Sequence, residues 1–215
     1  MIRIHSSVDS LRQNILTDAI TWFFRELDFV CKQNGVIDFQ DWFTERTFLS
    51  LYLNAQIRNN SVSNVSTIQE YSVKDAKTKS HGRCDALLTV NRSLFVLESK
   101  FENSSRKNND AHWDIDGWTN HDDVIFKQLN WYIDAEEMFY VDKERYDEVF
   151  LQTVVFKIIE NPKDQHFQSA ELMDISGKLL GDRGWYYGCH YPEAIQTEKE
   201  EKLGIEIYGS IVERK

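Results

Sequence analysis

The stretch GRCDALLTVNRSLFVLESKF, residues 82–101, contains two apolar runs on either side of the polar pair Asn91 and Arg92. Apolar and β-branched residues around so short a polar turn predict a β-hairpin with strands at residues 84–90 and 93–101. Both runs nevertheless carry charged residues, which buried strands usually exclude: Asp85 in the first, and Glu98 with Lys100 in the second. The reason for these charges decides how the fold and the function are interpreted.

The register of the hairpin predicts that the charges meet. If the turn is symmetric about residues 91 and 92, Asp85 faces Glu98. Residues opposite each other in an antiparallel pair lie on one side of the sheet, with Cβ atoms about 4.5–5.5 Å apart. Alternation along the strand also places Lys100 on that side and points the side chain of Ser99 away from it. We therefore expect three ionisable groups to converge.

Two neighbouring carboxylates repel each other unless positive charge lies between them. A lysine or a divalent cation supplies that charge, and oxygen ligands favour Mg²⁺ or Mn²⁺. The alternative is that Asp85 pairs with Arg83, and Glu98 with Lys100, as ordinary ion pairs at a sheet edge. Against the alternative, the two runs are apolar on both faces, which is typical of a strand covered on both sides.

Composition and charge limit the class of protein. With 215 residues, of which 41% are hydrophobic, the chain is long enough for one well-packed domain over residues 1–215. The net charge of −10 argues against a generally basic nucleic-acid-binding surface. Around the hairpin, however, residues 74–107 contain eight Lys and Arg against four Asp and Glu. This local excess of positive charge is compatible with a polyanionic ligand.

Apolar segments and cysteine spacing indicate the expected compartment and exclude some kinds of cysteine site. The chain has neither an apolar stretch of about 20 residues nor the apolar region of a signal peptide, so we expect a cytoplasmic protein with no membrane partner. Three widely spaced cysteines argue against a disulfide framework and a closed zinc site.

Apolar periodicity predicts the remaining elements. Residues 8–34 and 39–58 have the spacing of amphipathic helices. Residues 68–73 alternate as a strand does. Another helix is predicted within residues 122–140, and strands at 148–159 and 202–214. The C-terminal part is expected either to extend the sheet or to form an oligomer surface, as in a homodimer.

The sequence GRCD, followed by twelve residues and ESK, resembles the motif of the PD-(D/E)xK nuclease superfamily, which has the restriction-endonuclease-like fold. The resemblance implies an α/β fold whose core is a helix, three antiparallel strands, a helix and a further strand. That core corresponds to residues 39–159, with an N-terminal helical extension at 1–38 and a C-terminal extension of the sheet at 160–215. Cys84 stands where the family name has proline, a position that carries no metal-binding group.

The resemblance also implies a reaction: hydrolysis of phosphodiester bonds, with DNA the expected substrate, by water that Mg²⁺ (or Mn²⁺) activates. Asp85, Glu98 and the backbone carbonyl of Ser99 would hold the ion. Lys100 would orient the nucleophile or stabilise the negatively charged transition state. Asp85, Glu98 and Lys100 are all retained, which favours a working enzyme.

Three further positions match family features. The first core helix of the family often carries a glutamate that faces the metal, and Glu45 is the best match, completing the metal's surroundings. A salt bridge to Arg46 or a solvent-facing position is the alternative for Glu45. Gln128 and Tyr132 have the Q-x-x-x-Y spacing of RecB-type members and lie four residues apart, on one helix face. They would position Lys100 or the nucleic acid; otherwise Tyr132 is a core aromatic and Gln128 a surface residue.

The leading hypothesis is thus a metal-dependent nuclease. Two other classes remain open from the sequence: a non-catalytic nucleic-acid-binding or sensing module on the same fold, and a protein–protein adaptor, which the acidic composition favours.

Overall fold

The computed structural model describes residues 2–7, 10–34, 44–58, 64–74, 81–103, 127, 145–160, 183–190 and 203–213. These residues form an α/β structure with two helices and a seven-stranded sheet. Neither helix contains an apolar segment long enough to cross a membrane. In chain order the elements are β1 (Ile2–Ser6), α1 (Ser10–Asn34), α2 (Glu45–Arg58), β2 (Val65–Lys74), β3 (His81–Val90), β4 (Ser93–Asn103), β5 (Glu148–Glu160), β6 (Gly184–His190) and β7 (Leu203–Glu213).

The sheet has the strand order β1-β6-β7-β5-β4-β3-β2. Strands β4 and β5 are parallel, and every other neighbouring pair in this order is antiparallel. The strands that carry Asp85 and Glu98 therefore have a neighbour on each side. This rules out a sheet edge as the reason for the two carboxylates.

The hairpin has the predicted register. Its pairs run from Val90 opposite Ser93 to Ala86 opposite Leu97. Asn91 adopts a φ of 56°, a left-handed conformation that asparagine tolerates better than most residues. The short turn fixes the pairing of the strands beyond it, so the register can be calculated from sequence.

Other elements agree with the sequence to different degrees. Helix α1 and strands β5 and β7 lie close to their predicted bounds. Helix α2 begins at Glu45, and the predicted residues before Thr44 lie outside the described part. The C-terminal segment does extend the sheet, through β6 and β7. Strand β1, which pairs with β6, lies in a segment predicted to be only helical.

An aromatic cluster fixes α2 on the sheet. Phe48 stacks on Phe101 and on Phe156, with ring centroids 5.4 Å apart in both cases, and Phe23 of α1 packs against the same group. Phe101 and Phe156 are neighbours across the parallel strands β4 and β5. Because Phe48 lies one turn after Glu45, this packing holds the start of α2 above the part of β4 that contains Lys100.

The sheet opens slightly between β5 and β7. The register skips Thr153, whose hydroxyl accepts the N–H of Ser210 at 2.7 Å while its carbonyl accepts the hydroxyl of Tyr186. Gly209 fits beside this arrangement only because it lacks a side chain. A Cβ at Gly209 would overlap the Thr153 carbonyl oxygen and lie 2.8 Å from the Tyr186 hydroxyl oxygen.

We expect Gly209→Ala to lower the free energy of unfolding by about 3 kcal/mol or more, since a rigid carbonyl occupies the space of the new methyl group. Gly188→Ala is the matched control. There the new Cβ meets the Ile20 Cγ2 methyl group at 2.6 Å, and a side chain moves more easily than backbone. Urea denaturation of both variants tests this. A loss at Gly209 no larger than that at Gly188 would contradict it.

Candidate functional site

The hydrogen-bond ladder is interrupted on both sides of Asp85. The ladder between β3 and β4 ends at the pair Ala86 and Leu97. The next pair, Asp85 and Glu98, is not part of it. On the other side, the register of β2 with β3 skips the position where Glu70 opposes Asp85. Glu70 itself has a φ of 53°, which is uncommon for a residue other than glycine. The backbone of β3 is therefore released from both neighbours at Asp85.

Carboxylates replace the missing ladder bonds. Asp85 Oδ2 accepts the backbone N–H of Ser99 at 2.7 Å. The Glu98 carboxylate in turn accepts the backbone N–H of Asp85. Beside them, the buried thiol of Cys84 lies 3.3 Å from the carbonyl oxygen of Leu97. These reciprocal bonds hold Asp85 and Glu98 together although they are not a ladder pair.

Ser99 contributes its hydroxyl group to the site. Its Oγ lies 3.0 Å from Asp85 Oδ2 and 3.2 Å from Glu45 Oε1, and its single proton bonds one carboxylate at a time. Phe101, two residues later, packs on Phe48 of α2, so Ser99 lies on the helix-facing side of β4, opposite to Glu98 as strand alternation predicts. That the Asp85 carboxylate reaches the Ser99 hydroxyl where the ladder is interrupted was not predicted from the sequence.

Lys100 connects the carboxylates by charge. Its Nζ donates to the Ser99 carbonyl oxygen at 2.8 Å and lies 3.6 Å from Glu98 Oε1 and 4.0 Å from Glu45 Oε1. The Glu98 residue is 1% exposed, whereas the Lys100 side chain is 37% exposed. The ammonium group thus lies between a buried carboxylate and the solvent.

Burial dominates the electrostatics. Desolvation, followed by the charge of Asp85, raises the pKa of Glu98 to about 8, although Lys100 acts in the opposite direction. Burial also raises the pKa of Glu45, while Lys100 lowers it. In the absence of a further cation, burial therefore favours the protonated form of Glu98. A cation close to Glu98 would favour its ionised form.

The structure brings together five of the seven residues that the sequence singles out: Glu45, Asp85, Glu98, Ser99 and Lys100. Glu45 is the first residue of α2, after the cap residue Thr44, and is turned toward Ser99. Arg46 contacts Glu70 at 2.8 Å. Gln128 and Tyr132 lie outside the described residues, so their roles stay predictions.

Sequence reasoning missed the Ser99 hydroxyl and the position of Glu70 opposite Asp85. The polar character of Ser99 was the available signal for the first. No comparable signal exists for Glu70, because residues 75–80 separate β2 from β3 and a connection of that length does not fix a register.

The donor set suits a hard cation. Within the described ranges, no group of three or more His, Cys, Asp or Glu side chains is arranged to hold a metal ion. Asp85 and Glu98 nevertheless offer carboxylate oxygens beside the Ser99 carbonyl, whose second lone pair can accept alongside Lys100. Mg²⁺ commonly binds through one or two carboxylates and keeps several waters. The residues present therefore fit Mg²⁺ or Mn²⁺ with water as the remaining ligands.

Comparison with known proteins adds no relative: no family model matches the chain, and neither the curated proteins nor the solved structures gave a significant match.

We expect Glu98→Gln to remove a pH dependence of stability. In the folded protein the pKa of Glu98 is raised to about 8, whereas an ordinary glutamate has a pKa of about 4.3. Between these values the folded protein binds more protons, so the free energy of unfolding falls as pH rises, by at most about 1.4 kcal/mol per pH unit for one group. At pH values above the folded-state pKa of Glu98, its ionisation no longer lowers the free energy of unfolding further.

Urea denaturation with EDTA, from about pH 5 to about pH 9, measures this effect. The stability of Glu98→Gln relative to the unmodified protein should increase from about pH 5 to about pH 8 and level off above that. Glu26→Gln, on α1, controls for the loss of one negative charge. A difference between Glu98→Gln and the unmodified protein that stays constant with pH would contradict the expectation.

Proposed function

We propose that this chain is a Mg²⁺- or Mn²⁺-dependent nuclease that hydrolyses phosphodiester bonds, with DNA the expected substrate. The observation that carries the proposal is the buried Glu98 carboxylate, held beside Asp85 in the interior of a sheet with the Lys100 ammonium 3.6 Å away. Burying an ionisable carboxylate costs several kcal/mol unless it is compensated. An arrangement this unfavourable for folding is better explained by chemistry than by stability.

The described elements support a restriction-endonuclease-like core. Helix α2 is followed by three antiparallel strands, β2 to β4, and then by β5 parallel to β4. This is the order that the resemblance to PD-(D/E)xK nucleases implies, apart from the second core helix, whose segment lies outside the described residues. A fold alone does not establish a reaction, so the proposal depends on the residues of the site.

Each residue of the site has a proposed task. Asp85 and Glu98, with the Ser99 carbonyl, would hold the cation. When bound, the cation supplies a water of lowered pKa and positive charge close to the phosphate. The Lys100 ammonium, half-exposed and oriented by the Ser99 carbonyl, would stabilise negative charge on the phosphate oxygens as the bond breaks.

Glu45 and Ser99 would keep these groups in place. The Ser99 hydroxyl lies between the carboxylates of Glu45 and Asp85, and Glu45 Oε1 also lies 4.0 Å from Lys100 Nζ. One hydroxyl therefore links the residues proposed to hold the cation to the start of α2. The Glu45 carboxylate would thus have two roles: it contacts the Ser99 hydroxyl, and it provides negative charge close to Lys100.

We expect Asp85→Asn and Lys100→Ala each to lower the rate of nucleic-acid cleavage by about 100-fold or more, a typical effect of losing one preorganised electrostatic group. Asp147→Asn is the control, because Asp147 lies at the hairpin turn and pairs with Arg92. The assay uses labelled double- and single-stranded DNA and RNA with Mg²⁺, Mn²⁺ or EDTA. The proposal fails if the unmodified protein cuts none of these, or if the variants cut as fast as it does.

A separate expectation concerns Ser99. Removing its hydroxyl with Ser99→Ala should lower cleavage by about 10-fold to 100-fold and raise the Mg²⁺ concentration for half-maximal rate, as loss of an outer-shell partner does. Ser93→Ala removes a similar Ser–Glu hydrogen bond, to Glu148 at 3.0 Å, at the other end of β4. Equal effects of the two substitutions would show that Ser99 acts only through stability.

One observation favours a second candidate, a non-catalytic nucleic-acid-binding module. Lys100 Nζ already bonds the Ser99 carbonyl, one of the proposed cation ligands, at 2.8 Å. Salt-dependent binding of nucleic acid without cleavage in either metal would support this candidate over the nuclease.

A further inference from the structure

An exposed ion pair borders the candidate site. Arg46 Nη2 lies 2.8 Å from Glu70 Oε1, and the two side chains are 80% and 41% exposed. Arg46 directly follows Glu45, which contacts Ser99, and Glu70 opposes Asp85 across the interrupted ladder. The pair thus joins the start of α2 to β2 over the gap in which the carboxylates lie.

The position of Glu70 is not the one that an ordinary strand would give. Its left-handed φ of 53° falls in a region that residues other than glycine seldom adopt. Such conformations cost free energy and concentrate at functional sites, where the surrounding structure maintains them. The Glu70 carboxylate also contacts Arg46. The residue with the unusual backbone conformation is therefore the one that holds the Arg46 guanidinium group in position.

Charge explains why a guanidinium is useful here. Glu45 and Glu98 lie 4.0 and 3.6 Å from Lys100 Nζ, and the Asp85 carboxylate contacts Ser99 beside them. Those of the three carboxyl groups that are ionised repel a polyanion that approaches the site. A guanidinium group binds phosphate through two parallel hydrogen bonds, in the same geometry in which it binds a carboxylate. Exposed ion pairs are worth at most about 1 kcal/mol, so a phosphate can exchange with Glu70 at little cost.

We propose that Arg46 binds a backbone phosphate of the nucleic acid beside the bond to be cut, and that Glu70 holds the guanidinium there until the phosphate replaces it. The inference rests on the proposed nuclease function, because it assumes a nucleic-acid ligand. It extends that function by assigning a substrate contact outside the carboxylate cluster and by placing the substrate across the start of α2 and β2.

The same helix offers a matched control. Arg58, the last residue of α2, contacts both carboxylate oxygens of Glu26, at 2.7 and 2.8 Å, and its side chain is 60% exposed. It lies twelve residues after Arg46, which corresponds to about 18 Å along a helix. Both arginines are largely exposed and pair with a glutamate, although Glu26, at 14%, is less exposed than Glu70. They differ in their distance from the site.

The test measures binding of fluorescently labelled duplex and single-stranded DNA by anisotropy, with EDTA present, between about 50 and 200 mM NaCl. Arg46→Ala should raise Kd by about fivefold or more relative to Arg58→Ala at the lowest salt. It should also reduce the slope of log K against log salt by about 0.9 for duplex, or about 0.7 for single strands, the value for one lost phosphate contact. Arg46→Lys should keep the slope while weakening binding.

Removing the Glu70 carboxylate should have the opposite effect on the Kd for DNA. Glu70→Gln should lower Kd, since the guanidinium no longer has to leave a carboxylate, and Glu26→Gln should leave Kd within twofold of the unmodified protein. Urea midpoints confirm that each variant is folded, and Arg46→Gln replaces Arg46→Ala if the latter is not.

The outcomes separate this inference from the nuclease proposal. It is overturned if Arg46→Ala and Arg58→Ala weaken binding equally, if Glu70→Gln does not tighten binding, or if the unmodified protein binds neither DNA. Cleavage by the unmodified protein together with equal effects of the two arginine substitutions defeats only the Arg46 assignment. Binding that depends on Arg46, in a protein that cuts nothing with Mg²⁺ or Mn²⁺, defeats only the nuclease.

Discussion

The interruption of the hydrogen-bond ladder at Asp85 is the constraint on which the candidate site depends. In a continuous sheet the N–H groups of Asp85 and Ser99 would face carbonyl groups of neighbouring strands. Here the carboxylates of Glu98 and Asp85 accept them instead. Buried N–H groups must find acceptors, so the two side chains complete the sheet as well as form the site. Neither carboxylate can be removed without releasing a backbone group.

Helix α2 couples this gap to the hydrophobic core. Phe48 stacks on Phe101 and Phe156, and these contacts set the height and direction of the first turn of the helix. Glu45 and Arg46 lie in that turn, so these two aromatic contacts help to place the Glu45 carboxylate on Ser99 and the Arg46 guanidinium on Glu70. Protein cores are packed densely and tolerate little displacement. The positions of the charged groups therefore depend on an apolar cluster that takes no part in the chemistry.

The sequence predicts the fold and the site unequally, and the difference follows the range of the interactions. The register that brings Asp85 close to Glu98 depends on a two-residue turn, and Lys100 follows two residues later, so local information suffices. Strand β1 has five residues and exists through its pairing with β6, from the far end of the chain. Glu70 meets Asp85 only once β2 and β3 are aligned. The contact of the Ser99 hydroxyl with Asp85 depends on where the ladder stops, which the sequence does not show.

The acidic composition is compatible with a polyanionic substrate once distance is considered. At physiological salt, interactions between exposed charges fade beyond about 8 Å, so a net charge of −10 spread over 215 residues acts weakly on a phosphate already at the site. In the proposed complex, contact charges would decide the affinity instead, and these are Lys100, Arg46 and the cation that the buried carboxylates suit. The net negative charge opposes the approach of a polyanion, which would make association slower and dependent on salt. Buried carboxylates beside a half-exposed ammonium suit the ligand of the proposed nuclease, which would bring both a divalent cation and a phosphate.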